Sequence, residues 1–236
     1  GLHSDEADNI KQIRGWATVK ETAKYSESRQ KHKDHFVIDN TSGSSLTLST
    51  IGIGSYLGNS DEITSEQLNT AVVGSINHGI NVVDTSINYL GQNAERAIGK
   101  ALKRLIIDEK TVPREAIFIS TKAGFIPRDA KHDRNNVETL NKWISEWNTA
   151  SQQEAIDAAN TDGDGDGNIN KENNIDNYPK FPTNTIVNKK HCISPACLDM
   201  SLKTSLSNLG VTTIDLLYLH NLENQFKDDN LAHDEV

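Results

Sequence analysis

Two short apolar stretches, Ile80-Asn-Val-Val-Asp84 and Ala116-Ile-Phe-Ile-Ser-Thr-Lys122, decide how this sequence is interpreted. Near-continuous apolar runs of this length predict buried strands, and each run ends in a charged residue. Residues 94–105 lie between them and place apolar side chains at helical spacing. A strand, a helix and a second strand in this order predict two parallel strands joined by a crossover helix.

The same alternation extends toward the N-terminus. Ile51-Gly-Ile-Gly54 predicts an earlier strand, and Thr64-Ser-Glu-Gln67 predicts a capping box that opens the helix after it. The apolar stripe predicted for that helix consists of Leu68, Ala71, Val72, Ser75 and Ile76, and Gly79 is its predicted C-cap. Two β-rich runs around a polar turn, Phe36–Ile38 and Leu46–Leu48, predict a hairpin before the first strand.

Toward the C-terminus, Ser194-Pro195 predicts an N-cap with proline at the first helical position, and Gly210 predicts the helix end. A fourth strand is predicted for 213–220. The pattern predicts an α/β fold of the (β/α)8 TIM-barrel type, incomplete, with an N-terminal hairpin and about four βα units. We predict a polar surface arm at 1–35, the hairpin and first three strands at 36–125, an insertion at 126–190, and the fourth unit with a truncated tail at 191–236.

The insertion contains a stretch that resembles a calcium-binding EF-hand loop. With Asp162 at position one, Asp164 and Asp166 occupy positions three and five, and Gly167 supplies the turn glycine. The candidate ligands are Asp162, Asp164, Asp166 and Asn168. Position twelve is Asn173 rather than glutamate, so a calcium site and a plain acidic loop both stay open. The apolar face predicted for the helix before the loop consists of Val137, Leu140, Trp143, Ile144 and Trp147. Trp143 and Trp147 either line a pocket or pack the helix down.

Composition excludes some classes of function. The formal net charge of -9 argues against a nucleic-acid-binding protein. No apolar run approaches the roughly 20 residues that span a bilayer. The two cysteines, Cys192 and Cys197, are too few for a disulfide framework. We therefore expect free thiols and a cytoplasmic location.

Four chemically capable residues stand at, or just after, predicted strand ends. Asp84 ends the second strand, Tyr89 follows it in the next loop, Lys122 ends the third strand and His220 ends the fourth. In a βα barrel the C-terminal ends of the strands form the catalytic face, so these side chains are expected to converge. Any one of them alone is more often a plain ion pair or a satisfied polar group.

The sequence resembles the aldo-keto reductase family in four stretches that occur in the family's order. These stretches are 79–89, 95–102, 119–124 and 209–221, and Ile51-Gly-Ile-Gly-Ser-Tyr-Leu-Gly58 also matches. The resemblance covers most of 36–125 and 191–225 and implies reduction of an aldehyde or ketone with NADP or NAD. Because the chain ends just past the fourth strand, the activity of this truncated chain is left open.

The resemblance also implies roles for named residues. Tyr89 would protonate the substrate carbonyl as hydride arrives. Lys122 would favour the phenolate that this transfer leaves, and Asp84 would pair with Lys122 and hold it in place. His220 would hydrogen-bond the carbonyl. Cofactor-binding residues implied by the resemblance are Gly54, Ser55, Tyr56 and Asn221.

Alternative functions follow from the same residues. The first alternative is a non-catalytic calcium-binding or interaction module derived from the barrel, and the second is another βα-barrel enzyme. The expected partners are a small carbonyl substrate and either a second copy of the chain or a missing C-terminal half, because half a barrel leaves open sheet edges.

Overall fold

The structure, a computed structural model, describes residues 12–29, 34–40, 42–161 and 179–226. The chain divides into two compact units. The first unit comprises Gly1–Lys122 and Lys203–Tyr218, and the second comprises Ala123–Leu202 and Leu219–Val236. The boundaries of the four segments predicted from the sequence stay a prediction.

Within the described ranges the secondary structure alternates as expected. The helices are α1 (Val19–Arg29), α2 (Glu62–Asn77), α3 (Asn93–Lys103), α4 (Asn136–Thr161) and α5 (Pro195–Leu209). The strands are β1 (Phe36–Ile38), β2 (Thr47–Ser49), β3 (Ile53–Gly54), β4 (Val82–Asp84), β5 (Phe118–Ala123) and β6 (Leu216–Leu219). A π-helical turn, Arg104–Asp108, extends α3, and short 3-10 turns lie at Tyr89–Gln92, Arg114–Ala116, Ala130–His132, Thr183–Thr185 and Leu222–Phe226.

The strands form two sheets. Strands β1 and β2 pair antiparallel as the predicted hairpin, with Phe36 opposite Ser49. The other sheet has the order β3-β4-β5-β6, in which β3 pairs parallel to β4 and β4 parallel to β5. An α/β fold with a parallel sheet is therefore confirmed.

The core of the first unit lies between this sheet and its helices. Val83 of β4 and Ile119 of β5 are fully buried against apolar residues of α2 and α3. Because side chains alternate along a strand, Ser120 and Lys122 lie on the opposite face of β5 from Ile119. The sheet therefore presents one apolar face to the helices and carries polar groups on the other.

Close packing in this unit depends on a glycine of α3. A Cβ at Gly99 would lie 2.5 Å from the carbonyl oxygen of Asn208. Any larger residue would push the C-terminal end of α5 away from α3.

The prediction that 1–35 is a surface arm is wrong for the part of this segment that the structure describes. Ile13, Ala17 and Tyr25 are buried, and Ile13 forms a parallel bridge with Val211. The Tyr25 hydroxyl donates to the carbonyl of Ile76, and burial raises the pKa of Tyr25 to about 12. The buried residues are widely spaced in a polar segment, so no periodic pattern indicated their burial.

The predicted start of α2 is also corrected. The N-cap is Asp61, whose carboxylate accepts a hydrogen bond of 2.7 Å from the backbone N–H of Thr64. That hydrogen bond is the main reason that the pKa of Asp61 is lowered. With the helix beginning at Glu62, Ala71 of the predicted stripe is exposed, whereas Asn69 and Val73 are buried.

The prediction of free thiols is wrong. Cys192 and Cys197 form a disulfide, with Cα atoms 6.0 Å apart. The first turn of α5 brings Cys197 back toward Cys192, and Ser194 caps the helix by accepting a hydrogen bond from the backbone N–H of Cys197 at 3.4 Å. This Cα–Cα distance lies within the range that a disulfide spans, although the two cysteines are only five residues apart in sequence.

Helix α4 in the second unit follows the predicted apolar face in part. Leu140 and Trp143 are buried, whereas Val137 is exposed. Trp147 donates to the carbonyl of Pro179 at 3.2 Å and contacts the ring of Phe181 edge-on, which favours packing over pocket lining.

The calcium prediction on Asp162, Asp164, Asp166 and Asn168 lies outside the described residues. Among the residues that are described, no group of three or more His, Cys, Asp and Glu side chains could hold a metal ion. None of the described helices is long and apolar enough to cross a membrane.

Candidate active site

The centre of the site is an ion pair at the C-terminal ends of β4 and β5. Lys122 Nζ lies 2.6 Å from Asp84 Oδ2. The strand register explains this contact, because Asp84 is paired with Ser120, and Lys122 is the next residue of β5 on the same face. The Lys122 side chain is 17% exposed and that of Asp84 is 41% exposed, so the pair is open on one side.

Two further contacts fix this pair. Lys122 Nζ also donates to the carbonyl of Thr85 at 2.8 Å, and the Ser120 hydroxyl donates to Asp84 Oδ1 at 2.8 Å. Because the ammonium group of lysine is a point charge on a flexible stem, several acceptors together are needed to fix its position. Sequence reasoning missed Ser120 and Thr85. Ser120 could have been found from its place two residues before Lys122 on the same strand.

Tyr89 lies against this cation. Lys122 Nζ is 4.9 Å from the centroid of the Tyr89 ring, within the range of a cation–π contact. Tyr89 begins a 3-10 turn and its backbone N–H donates to the carbonyl of Ser86 at 3.1 Å. The loop therefore folds back so that the tyrosine ring faces the strand ends.

This turn contains an unusual backbone. Leu90, Gly91 and Gln92 all have positive φ angles, of 49°, 59° and 72°. Left-handed conformations are uncommon for residues other than glycine and persist where surrounding contacts hold them. Here Leu90 is buried, and the side-chain oxygen Oε1 of Gln92 accepts hydrogen bonds from the side chains of Arg96 and Asn208, both at 3.2 Å. The position of Tyr89 is thus held by the buried residues that follow it.

The segment expected to approach a nicotinamide cofactor lies beside Tyr89. Ser55 is buried and donates to the Thr85 hydroxyl at 2.8 Å. The Tyr56 ring is 69% exposed and meets the Tyr89 ring edge-on, with centroids 5.0 Å apart. Apart from Gly54 itself and its two chain neighbours, no described residue has an atom within 4 Å of the place where a Cβ at Gly54 would stand. Gly54 and the exposed Tyr56 ring therefore form an open edge beside Tyr89.

Behind the site, a buried carboxyl connects α3 to β5. Glu95 accepts hydrogen bonds from the Thr121 hydroxyl at 2.8 Å and from the Asn208 amide at 3.0 Å. Burial raises the pKa of Glu95 above its ordinary value, against the effect of these hydrogen bonds. Thr121 precedes Lys122, so Glu95 holds the strand on which the lysine stands.

The other two predicted residues belong to the second unit. The backbone N–H of His220 donates to the carbonyl oxygen of Ala123 at 2.7 Å. The His220 ring lies edge-on to the Phe125 ring, with centroids 4.9 Å apart. Asn221 is exposed, with a left-handed φ of 51°. The first unit therefore brings together Asp84, Tyr89, Lys122 and the segment at 54–56, and the second unit holds His220 and Asn221.

Comparison with known protein families agrees with the resemblance seen in the sequence. The sequence model of the Aldo/keto reductase family matches residues 50–162, which include Asp84, Tyr89 and Lys122. No curated protein matches the chain. The family match supports an oxidoreductase function in general terms.

Proposed function

Proceeding from the aldo/keto reductase match of residues 50–162, we propose that the chain reduces an aldehyde or ketone to an alcohol with NADP or NAD as cofactor. The observation that supports this most is the Lys122–Asp84 ion pair, whose ammonium group lies 4.9 Å from the Tyr89 ring. A cation between a carboxylate and a phenol at the ends of parallel strands is suited to proton transfer.

In this proposal Tyr89 is the general acid. When bound, the reduced nicotinamide would supply a hydride to the carbonyl carbon and would itself become oxidised. The Tyr89 hydroxyl gives its proton to the carbonyl oxygen, so that C=O becomes CH–OH, and the phenol is reprotonated from water. Lys122 stabilises the negative charge that this transfer leaves on the phenol oxygen. Asp84, held by Ser120, keeps the ammonium group at the strand end.

The remaining assigned residues bind rather than react. Gly54, Ser55 and Tyr56 are assigned to the nicotinamide end of the cofactor, supported by the open edge at Gly54 and the exposed Tyr56 ring. Asn221 is assigned to the same ligand by resemblance. His220 is assigned to hydrogen-bond the substrate carbonyl.

The proposal extends to the fold. Strands β3 to β6 lie side by side in chain order, as successive strands of a (β/α)8 barrel do. We assign them to the first half of such a barrel and residues 126–190 to an insertion between its third and fourth strands.

Cofactor binding is the experiment that tests this function first. The chain is titrated with NADPH and with NADH, and the quenching of protein fluorescence is followed. Each mixture is then given a panel of small aldehydes and ketones, and the loss of nicotinamide absorbance is measured. We expect saturable binding and carbonyl-dependent oxidation of the cofactor. A folded chain that binds neither cofactor would overturn the proposal.

A further inference from the structure

The second unit contains a buried histidine to which the proposed reaction gives no role. His191 is 2% exposed, and both of its ring nitrogens are within hydrogen-bond distance of a partner. Nε2 lies 2.6 Å from the backbone carbonyl oxygen of His220, and Nδ1 lies 2.7 Å from Nε2 of Gln225. The residue that it contacts is the one assigned to the substrate carbonyl.

The two partners together determine the proton position on the ring. A carbonyl oxygen can only accept, so the His191 Nε2 must carry the hydrogen and donate it to His220. An amide nitrogen can only donate, so the His191 Nδ1 must accept from Gln225. The neutral ring with hydrogen on Nε2 satisfies both contacts, and Gln225 selects that tautomer.

The surrounding chain leaves His191 little freedom. A Cβ at Gly124, where φ is 140°, would lie 2.9 Å from both His191 Nε2 and the His220 carbonyl oxygen. The Phe125 ring meets the His191 ring edge-on at 5.0 Å and the His220 ring at 4.9 Å. Glycine at 124 thus permits the close approach, and one phenylalanine packs against both imidazoles.

The backbone of His191 is itself anchored on both sides. His191 and Val187 exchange two backbone hydrogen bonds, of 3.1 and 2.8 Å. The next residue, Cys192, donates to the carbonyl of Gly124 at 2.7 Å and is joined to Cys197 by the disulfide. A side chain on so constrained a backbone is able to hold another segment in place.

We infer that His191 is a positioning residue for His220. Its imidazole holds the backbone of His220 by donating to the carbonyl, while Gln225 fixes the donating tautomer. The inference rests on the proposed function insofar as His220 acts on a carbonyl substrate. On this inference, His191 and Gln225 together determine the orientation of the His220 ring.

A double-mutant cycle tests whether His191 acts through His220. In the otherwise unchanged chain, His191→Leu is expected to lower kcat by about 10- to 100-fold, since small misplacements have effects of this size. His191→Gln keeps a donor of similar reach and is expected to restore most of the lost rate. In a His220→Ala chain, His191→Leu is expected to change kcat little. An equal loss in both backgrounds would overturn the inference.

Nuclear magnetic resonance separates this inference from the proposed function. The ring nitrogens of His191 are observed in the full chain, and the hydrogen is expected on Nε2. Gln225→Glu replaces the donor with an acceptor and is expected to move a hydrogen onto Nδ1 and to shift the His220 ring signals. A His191 ring with hydrogen on Nδ1 alone, or His220 signals unmoved by both His191→Leu and Gln225→Glu, would refute the positioning role. Absence of carbonyl reduction in the unsubstituted chain would instead refute the proposed function.

Discussion

Strand β5 is flanked by two ion pairs of nearly equal length and opposite character. Before its first residue, Arg114 lies 2.7 Å from Asp215, and near its end Lys122 lies 2.6 Å from Asp84. The side chains of the first pair are 1% and 5% exposed, and those of the second are 17% and 41% exposed.

The partners of the two carboxylates explain the difference. Asp215 also accepts from the backbone N–H groups of Ala17 at 2.6 Å and Ile119 at 2.8 Å, so its charge is used within the fold. Asp84 accepts from Ser120 and Lys122 and leaves the ammonium group facing the Tyr89 ring. We therefore expect the closed pair at the N-terminal end of the strand to serve the fold and the open pair at the C-terminal end to serve the proposed chemistry.

The largest expected effect follows from removing the open pair's cation. We expect Lys122→Met to lower kcat about 10²- to 10⁴-fold, because the proton donor loses its electrostatic support. The free energy of unfolding should change little, since the pair is partly solvated. Steady-state cofactor oxidation and urea unfolding are measured on the same preparation.

Lys142→Met is the matched control for this change. Lys142 is 51% exposed and pairs with Glu146 on α4 at 3.5 Å, so both kcat and stability should stay near those of the unsubstituted chain. If Lys122→Met lowered stability strongly and left kcat intact, the roles assigned to the two pairs would be reversed.

Breaking the closed pair should act on stability instead. Asp215→Asn is expected to lower the free energy of unfolding by about 3–5 kcal/mol, because it leaves the Arg114 charge buried without its partner. Activity per folded molecule should persist. Asp108→Asn breaks an exposed pair with Lys103 and should cost under about 1 kcal/mol. Equal losses for the two variants, measured by urea unfolding, would contradict the contrast.

The buried carboxyl of Glu95 behind the site makes stability depend on pH. The pKa of Glu95 is raised by burial, so the folded state binds this proton more tightly than the unfolded state. The stabilisation is present below the ordinary value of 4.5 and is lost as pH rises through the folded-state pKa. Glu95→Gln mimics the protonated form and should reduce this decline when unfolding is measured across pH. A decline that is unchanged in Glu95→Gln would assign it to another group.

The smallest expected effect tests how Asp84 is held. Ser120→Ala removes the hydrogen bond of 2.8 Å to Asp84, and we expect kcat to fall about fivefold, the equivalent of a hydrogen bond worth about 1 kcal/mol. Ser42→Ala, at an exposed position of the β1–β2 turn, is the control. No change in kcat for Ser120→Ala would mean that Lys122 alone positions the carboxylate.

Local patterns in the sequence predicted the alternation of strands and helices and the residues at strand ends. Asp84 and Lys122 could be placed on adjacent strands because apolar runs of fixed length end at them. Their contact follows from parallel pairing alone, which is why the sequence could suggest it.

The contacts that sequence reasoning missed join distant segments. Arg114 and Asp215 are 101 residues apart, and Glu95 and Asn208 are 113 apart, so neither pair leaves a periodic trace. Asp61 was missed as a cap because Thr64 three residues later offered an equally plausible helix start. The burial of α1 depends on few apolar residues, and it follows from their packing in the folded unit rather than from a pattern in the sequence.

Substitution of the Tyr89 hydroxyl tests most directly whether Tyr89 donates the proton to a carbonyl. Carbonyl-dependent oxidation of NADPH is compared for the unsubstituted chain, Tyr89→Phe and Tyr25→Phe. Tyr25→Phe removes a buried hydroxyl that donates to the carbonyl of Ile76, and it should leave kcat unchanged while lowering stability by about 1 kcal/mol. We predict a fall in kcat of about 10²- to 10⁴-fold for Tyr89→Phe alone. Undiminished reduction by Tyr89→Phe would contradict the assignment of the acid.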